Sequence, residues 1–341
     1  MRTMSPELAA WLRTRTDNSV TVKRLYGDVS GRLFWRVFSG GETLILMDSG
    51  KIPIWPWLDI HELLSDHGFS VSSIMECNTK MGWVLQGDLG SLRLLDVDDD
   101  QYLKYLNEAI NMIIAMQRKL DCTACSDSIA GRRSFTPAFF MAELENTLET
   151  LFFRLLEVPM KKLLVLQDEM RKLCGMISES TVFVHRDFHS ANLMIHNNRL
   201  TILDWQDARF GPPAYDVVSL IRDSYRDPGF SWEDRAKKFI IAKGDMNMFQ
   251  IARTACQRSL KAIGTFALQY RKTGDTKFLG YLPRTFRYLA DYSRICPQLD
   301  NLVERTYDIL DEYSGEIDLR DFRYSNIPSV REKKLYADKT Q

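Results

Sequence analysis

The chain has 341 residues, 45 % of them apolar, and its 45 Lys+Arg balance 45 Asp+Glu to no net charge. That supports a sizeable core, excludes a disordered chain, and lacks the basic excess of a nucleic-acid binder. No apolar run has the length of a membrane span, and residues 1–15 lack the apolar stretch and cleavage site of a signal peptide. A cytoplasmic protein without nucleic-acid or membrane partners is therefore expected.

In chain order, Ser5 and Pro6 open a helix over 5–15, with Leu8, Trp11 and Leu12 on one face. A strand is expected near 20–26. The turn Gly27-Asp28-Val29-Ser30-Gly31-Arg32 leads into a second strand, 33–37. Such a Gly/Ser turn can cover phosphates with its backbone N–H groups, and an ordinary hairpin loop fits equally well on local grounds. After Gly40-Gly41 a third strand runs over 43–48. Residues 57–67 carry a helical apolar stripe ended by Gly68. Residues 83–86 read as a buried strand, broken by Gly87-Asp88-Leu89-Gly90, a pair of glycines bracketing an Asp that suits a hinge. The acidic run Asp96, Asp98, Asp99, Asp100 reads as a helix start. Helical spacing then continues over 101–119 and 137–175. The six cysteines, including Cys122 and Cys125, are expected to be free thiols, since no second Cys/His pair supports a metal site.

The stretch 181–216, TVFVHRDFHSANLMIHNNRLTILDWQDARFGPPAYD, carries the chemistry. Asn197-Asn198 marks a tight turn between two short apolar runs. Folded about it, Asn192 and Asp204 come within about one residue of being opposite, with Asp187 beside them. Two hard oxygen ligands suit Mg²⁺ in an Mg-ATP complex. Asp187 can accept a hydroxyl proton and aim the nucleophile at the γ-phosphate. H-R-D-x-x-x-x-N followed by a metal-binding Asp is the spacing of a kinase catalytic loop.

These residues resemble the aminoglycoside/choline phosphotransferase superfamily, which shares the protein-kinase-like fold. The segments 203–223, 257–267 and 281–284 resemble a narrower group, the kinases that phosphorylate O1 of N-acetylmuramic acid and N-acetylglucosamine in cell-wall recycling. The resemblance implies a bilobal α+β fold. Residues 1–86 would form a small antiparallel-sheet lobe, 87–90 a hinge, and 91–341 a larger, mostly helical lobe. ATP would lie between them against Gly27, Ser30, Gly31, Arg32, Leu85, Gln86 and Gly87. Two departures stand out: Met47 occupies the strand position where most kinases carry a phosphate-binding Lys, and Gly87 replaces the Glu of the family's hinge. Lys51 and Arg32 are the candidate substitutes for the Lys, and Glu62 is a residue that could face the phosphates.

No activation segment follows Asp204; the chain runs directly into helix, which favours a small-molecule acceptor. Between residues 243 and 294 ten Lys/Arg face three Asp, a balance against a polycationic acceptor. Arg222, Asp223, Arg258, Lys261 and Tyr281 are the acceptor-site candidates. Asp207 joins them as a neighbour of the Asp187 network or of a second metal, and Asp216 is expected to cap the next helix. The remaining helices are expected over 213–226, 231–242, 245–273, 278–295 and 300–313, with a peripheral tail. Other readings of the same residues are a phosphotransferase for an aminoglycoside, choline, homoserine or another hexose, and a catalytically silent nucleotide-binding scaffold.

Overall fold

The computed structural model describes residues 4–17, 19–25, 31–177, 181–226, 231–244 and 246–314. Helix α1 (Pro6–Arg13) begins at Ser5, whose hydroxyl accepts the Leu8 N–H at 3.2 Å. Strands β1 (Thr21–Leu25), β2 (Leu33–Ser39) and β3 (Glu42–Asp48) follow as a meander, then α2 (Trp55–Asp66), β4 (Ile74–Asn78) and β5 (Trp83–Gly87). The five strands pair antiparallel in the order β1-β2-β3-β5-β4. Sequence periodicity gives no signal for β4, because this edge strand leaves Met75, Glu76 and Cys77 exposed and so has no alternation.

Side chains alternate across the sheet. Trp35, Val37, Leu46, Trp83 and Leu85 pack with Leu8, Trp11 and Leu12 of α1 in a small separate core. Met47 and Val84, on the other face, pack under α2 with Trp57, Ile60 and Leu64 in the main core.

The rest is mostly helical. Helix α3 (Asp99–Lys119) starts as the acidic run implies, with the Asp98 carboxylate accepting the Gln101 N–H at 2.8 Å. The helical spacing over 137–175 divides into α4 (Pro137–Thr147), a π-helical turn (Leu148–Phe153) and α5 (Met160–Gly175). Pro159, placed just before α5, cannot donate into a continuing helix and marks the break. Strands β6 (Val182–Val184) and β9 (Arg209–Gly211) form one two-stranded sheet, and β7 (Leu193–His196) and β8 (Arg199–Ile202) another. Helices α6 (Tyr215–Ile221), α7 (Trp232–Lys243), α8 (Met248–Thr273), α9 (Leu282–Ile295) and α10 (Asp300–Tyr313) complete the order. Helix α6 stops at Ile221 rather than 226, because the Asp223 carboxylate takes the Tyr225 N–H at 2.8 Å and turns the chain.

Helix α8 crosses α4 at Gly264, where an added Cβ would lie 2.2 Å from Thr147 Oγ1. The Thr147 hydroxyl donates to the Leu260 carbonyl at 2.9 Å across the same contact. This close crossing fixes the segment that carries Arg258 and Lys261. All six cysteines are free. The result is the expected bilobal α+β architecture, a small antiparallel sheet with a larger helical lobe.

Candidate active site

The β7–β8 hairpin has the register the turn residues imply. Asn197 and Asn198 both adopt positive φ, 50° and 60°, the backbone of a type I′ turn. Leu193 pairs with Ile202, and the Leu203 N–H reaches the Asn192 carbonyl at 2.9 Å. Asp204 follows one residue beyond and turns out of the ladder with φ 62°. A non-Gly residue in this region carries strain, sustained here by the contacts around it. Arg186, beside Asp187, does the same with φ 83°.

Two buried carboxylates fasten the loop between β6 and β7. Asp216 accepts the His185 N–H at 2.7 Å and the Arg186 N–H at 2.9 Å. It therefore anchors the loop from α6 and does not cap that helix, which has no side-chain cap. Burial pushes its carboxyl up to about 7, against the pull of those two N–H groups. Asp223 accepts the Ser190 N–H at 2.9 Å and the Ser190 hydroxyl at 2.5 Å. Within the loop the Asn192 amide donates to the Asp187 carbonyl at 3.0 Å, which leaves its side-chain oxygen directed elsewhere. His185 is fully buried against the Phe188 ring, and burial pulls its imidazole down to about 4, so it is neutral at ordinary pH.

Asp187 sits among cations. Lys261 Nζ donates to Asp187 Oδ1 at 2.9 Å, and an Arg258 guanidinium nitrogen lies 3.8 Å from the same oxygen. Burial would raise this carboxyl, but Lys261, Arg186 and Arg258 outweigh it and hold it well below the usual carboxylate range. Arg258 is fixed by donating from Nε to Ser219 Oγ at 2.9 Å. A cavity of about 50 Å³ opens here, lined by Asp187, His189, Arg222, Asp223, Arg258 and Lys261 with their neighbours.

A second cavity, about 330 Å³, lies between the sheet and the β7–β8 hairpin. Its walls are largely apolar: Leu25, Phe34, Ile45, Met194 and Leu203, with Gln86 and Gly87 at the strand end. Arg36 ties β2 to the connecting segment, with its guanidinium 2.6 Å from the Asp88 carboxylate and 2.7 Å from the Gly90 carbonyl. Gly90 has φ +86°, a conformation that disfavours any side chain.

Of the sequence-derived candidates, Asp187, Arg222, Asp223, Arg258 and Lys261 share the small cavity, and Gln86 and Gly87 share the large one. Leu85 is buried in the α1-side core, facing away from the large cavity. Gly27 and Ser30 lie outside the described residues, as does the tail 315–341; Gly31 and Arg32 are described. Arg32 is buried, 3.9 Å from the Asp204 carboxylate. Met47 is fully buried under α2, while Lys51 and Glu62 are exposed. Arg222 donates to Tyr292 and Asp291 and lies 3.6 Å from the Tyr288 ring centroid, committed to an aromatic box at the cavity's edge. Tyr281 packs behind the cavity against Tyr225 and Phe266. Asp207 pairs with Arg186 at 3.3 Å and is not a lining residue.

Sequence reasoning missed Glu143, which binds Arg186 at 3.0 Å and accepts from Gln257 at 3.0 Å. Its signal was an acid three residues after Phe140 and four before Thr147, on the face of α4 that those two buried residues share. It also missed Trp205, whose indole donates to the Trp57 carbonyl at 2.9 Å and packs on the Trp57 and His61 rings. That contact locks α2 to the residue following Asp204.

A sheet lobe and a helical lobe, with the β7–β8 hairpin facing the large cavity between them and the loop before it placing Asp187 at the small one, define a kinase-like phosphotransferase. The match to the family described as "Phosphotransferase enzyme family", over residues 21–239, covers well over half of the chain, which belongs to that family. Curated relatives include an N-acetylmuramate/N-acetylglucosamine kinase of Neisseria meningitidis, 27 % identical over 92 % of this chain and 97 % of the relative. One of the same name from Pseudomonas aeruginosa is 30 % identical over 81 % of this chain and 85 % of the relative. Among solved structures, choline kinase LicA from Streptococcus pneumoniae aligns with a TM-score of 0.58 at 15 % identity, covering 80 % of this chain and 94 % of that one. ADP-bound aminoglycoside phosphotransferase APH(2'')-Ib aligns at 0.59 and 11 % identity, covering 84 % and 99 %. These two likenesses are of fold. Among the described residues, no helix is long and apolar enough to cross a membrane.

Proposed function

We propose that this phosphotransferase moves the γ-phosphoryl group of ATP to O1 of an N-acetylated amino sugar, N-acetylmuramic acid or N-acetylglucosamine. The observation that carries the reading is Asp187, held by its loop at the wall of a small polar cavity, while the hairpin bearing Asn192 and Asp204 borders the larger apolar one. The relatives' names supply the sugar. The small cavity supports it, since its three cations, Arg222, Arg258 and Lys261, outnumber its two carboxylates, Asp187 and Asp223, a balance that disfavours a polycationic aminoglycoside.

Adenine would enter the apolar cavity against Gln86 and Gly87, with Gly31 and Arg32 toward the phosphates. Residues 1–86 and 91–341 would close about 87–90. Asn192 and Asp204 fit Mg²⁺: two oxygen donors from the protein suit an ion that keeps phosphate and water ligands. Bound there, the ion would neutralise phosphate charge. The acceptor hydroxyl oxygen attacks the γ-phosphorus, the bond to the β–γ bridging oxygen breaks, and the hydroxyl proton passes to Asp187. Lys261, Arg186 and Arg258 keep that carboxylate ionised.

An ATP-consumption assay across sugars, choline, homoserine and aminoglycosides tests the acceptor. Turnover should be highest with the two N-acetylated amino sugars; preference for an amine-bearing acceptor would overturn the reading. For the metal, Asp204→Ala should weaken Mg-ATP binding measured by calorimetry more than Asn192→Ala, and unaltered binding would remove Asp204 from the ion's site.

A further inference from the structure

One buried carboxylate lines neither cavity and yet bonds to the residues on which the small cavity depends. Glu143, on α4, has a side chain only 9 % exposed. Its Oε1 accepts from the Arg186 guanidinium at 3.0 Å, and its Oε2 accepts from the Gln257 side-chain amide at 3.0 Å. Arg186 directly precedes Asp187 in the chain, and Gln257 directly precedes Arg258. The Arg258 guanidinium in turn stands 3.8 Å from Asp187 Oδ1.

Helix α8 and the loop between β6 and β7 therefore meet twice. Lys261 and Arg258 reach Asp187 itself from α8. Glu143 ties the same two elements together one residue earlier on each side, from α4. Both of its oxygens are needed, because each serves a different donor. The bond to Arg186 is charge-assisted and directional. Asp207 also meets Arg186, at 3.3 Å, but its side chain is 44 % exposed and water screens the pair. Gln257 is fully buried, so its amide loses its acceptor outright if Glu143 is removed.

We infer that Glu143 is a positioning residue for phosphoryl transfer: it sets the loop that carries Asp187 against the segment of α8 that carries Arg258 and Lys261. This rests on the assignment of Asp187 as the proton acceptor. Glu143 touches no substrate and acts through Arg186 and Gln257. With the tie in place, Asp187 keeps a fixed distance from the cations of α8 and a fixed line into the cavity. Without it, two donors lose their acceptor, and the loop and the helix settle at a new spacing. Transfer is sensitive to such a change, since a displacement of about 1 Å costs on the order of a hundredfold in rate. Nucleotide affinity is spared, because other residues build the large cavity.

The test is a swap. In Glu143→Gln an amide with one acceptor oxygen faces two donors, so one bond breaks. The double variant Glu143→Gln/Gln257→Glu keeps volume and net charge and lets both bonds re-form: the amide oxygen at 143 accepts from Arg186, and its NH₂ donates to the carboxylate at 257. Sugar phosphorylation is measured in the full chain, with melting curves alongside. Glu143→Gln should lower kcat roughly ten- to a hundredfold, with KM for ATP and for the sugar held within about twofold. The swap should recover most of kcat. A wild-type kcat in Glu143→Gln, a swap no better than the single variant, or a loss that follows the unfolded fraction would overturn the inference. Should Glu143→Gln not fold, Gln257→Met cuts the α8 arm alone; kcat should fall with both KM values held, and a wild-type kcat overturns the inference. Asp187→Asn separates the two failures. If it turns over like wild type, the assignment of the base has failed and this inference with it. If it is inactive and the swap brings no recovery, only the role of Glu143 has failed.

Discussion

The small cavity beside Asp187 and the large one under the sheet are built by opposite means. The one beside Asp187 is small and polar, shaped by ion pairs and by buried carboxylates that grip backbone N–H groups. The one under the sheet is several times larger and walled by Leu25, Phe34, Ile45, Met194 and Leu203. On the proposed function, a proton and a phosphoryl group would be aimed on the polar side by directional, charge-assisted bonds. A flat heterocycle on the other side would need only shelter from water, for which apolar area suffices. Substitutions on the two sides should therefore fail differently.

The largest effect is expected on the polar side. Asp187→Asn should lower phosphoryl transfer by roughly 10²–10⁴-fold with nucleotide affinity intact. Wild-type turnover in that variant would remove the carboxylate from the chemistry. Asp216→Ala comes next: it orphans two N–H groups, each costing about 1–3 kcal/mol when buried without a partner. It should lower the unfolding free energy in denaturant titration by a few kcal/mol and depress kcat, although Asp216 touches no substrate. A loss of stability with kcat unchanged would mean that the loop keeps its aim without this anchor. Ile45→Ala, on the apolar side, should be mildest. Losing three carbons at about 0.8 kcal/mol per methylene should weaken ATP binding by up to about fiftyfold and leave kcat nearly unaltered. A fall in kcat larger than the fall in affinity would erase the distinction between the two sides.

The same contrast explains what the sequence disclosed. The hairpin was legible because its determinants are local: two asparagines that tolerate left-handed backbone, short apolar runs, and a fixed count from Asp187 to Asn192 to Asp204. The helix starts at Ser5 and Asp98 were legible for the same reason. The grip on the loop was not. Asp216 reads as a helix-start acid, and only tertiary structure delivers the N–H groups of His185 and Arg186 to it from about thirty residues away. Likewise α6 has a helical pattern past Ile221, but Asp223 breaks it by bonding to Ser190 and Tyr225. Met47 was recognisable as an anomaly from sequence. Its packing under Trp57 and Ile60, beside a helix pinned through Trp205, shows that this position serves the core.

On the proposed function, the hydroxyl facing Asp187 is the anomeric one of an N-acetylated amino sugar. Blocking O1 while leaving every other hydroxyl free puts this to the test. N-acetylglucosamine and N-acetylmuramic acid should be phosphorylated to a product whose phosphorus couples to H1 in the NMR spectrum, and their methyl glycosides should be inert. Phosphorylation of the methyl glycosides at a comparable rate, or a product whose phosphorus couples to protons elsewhere on the ring, would contradict it.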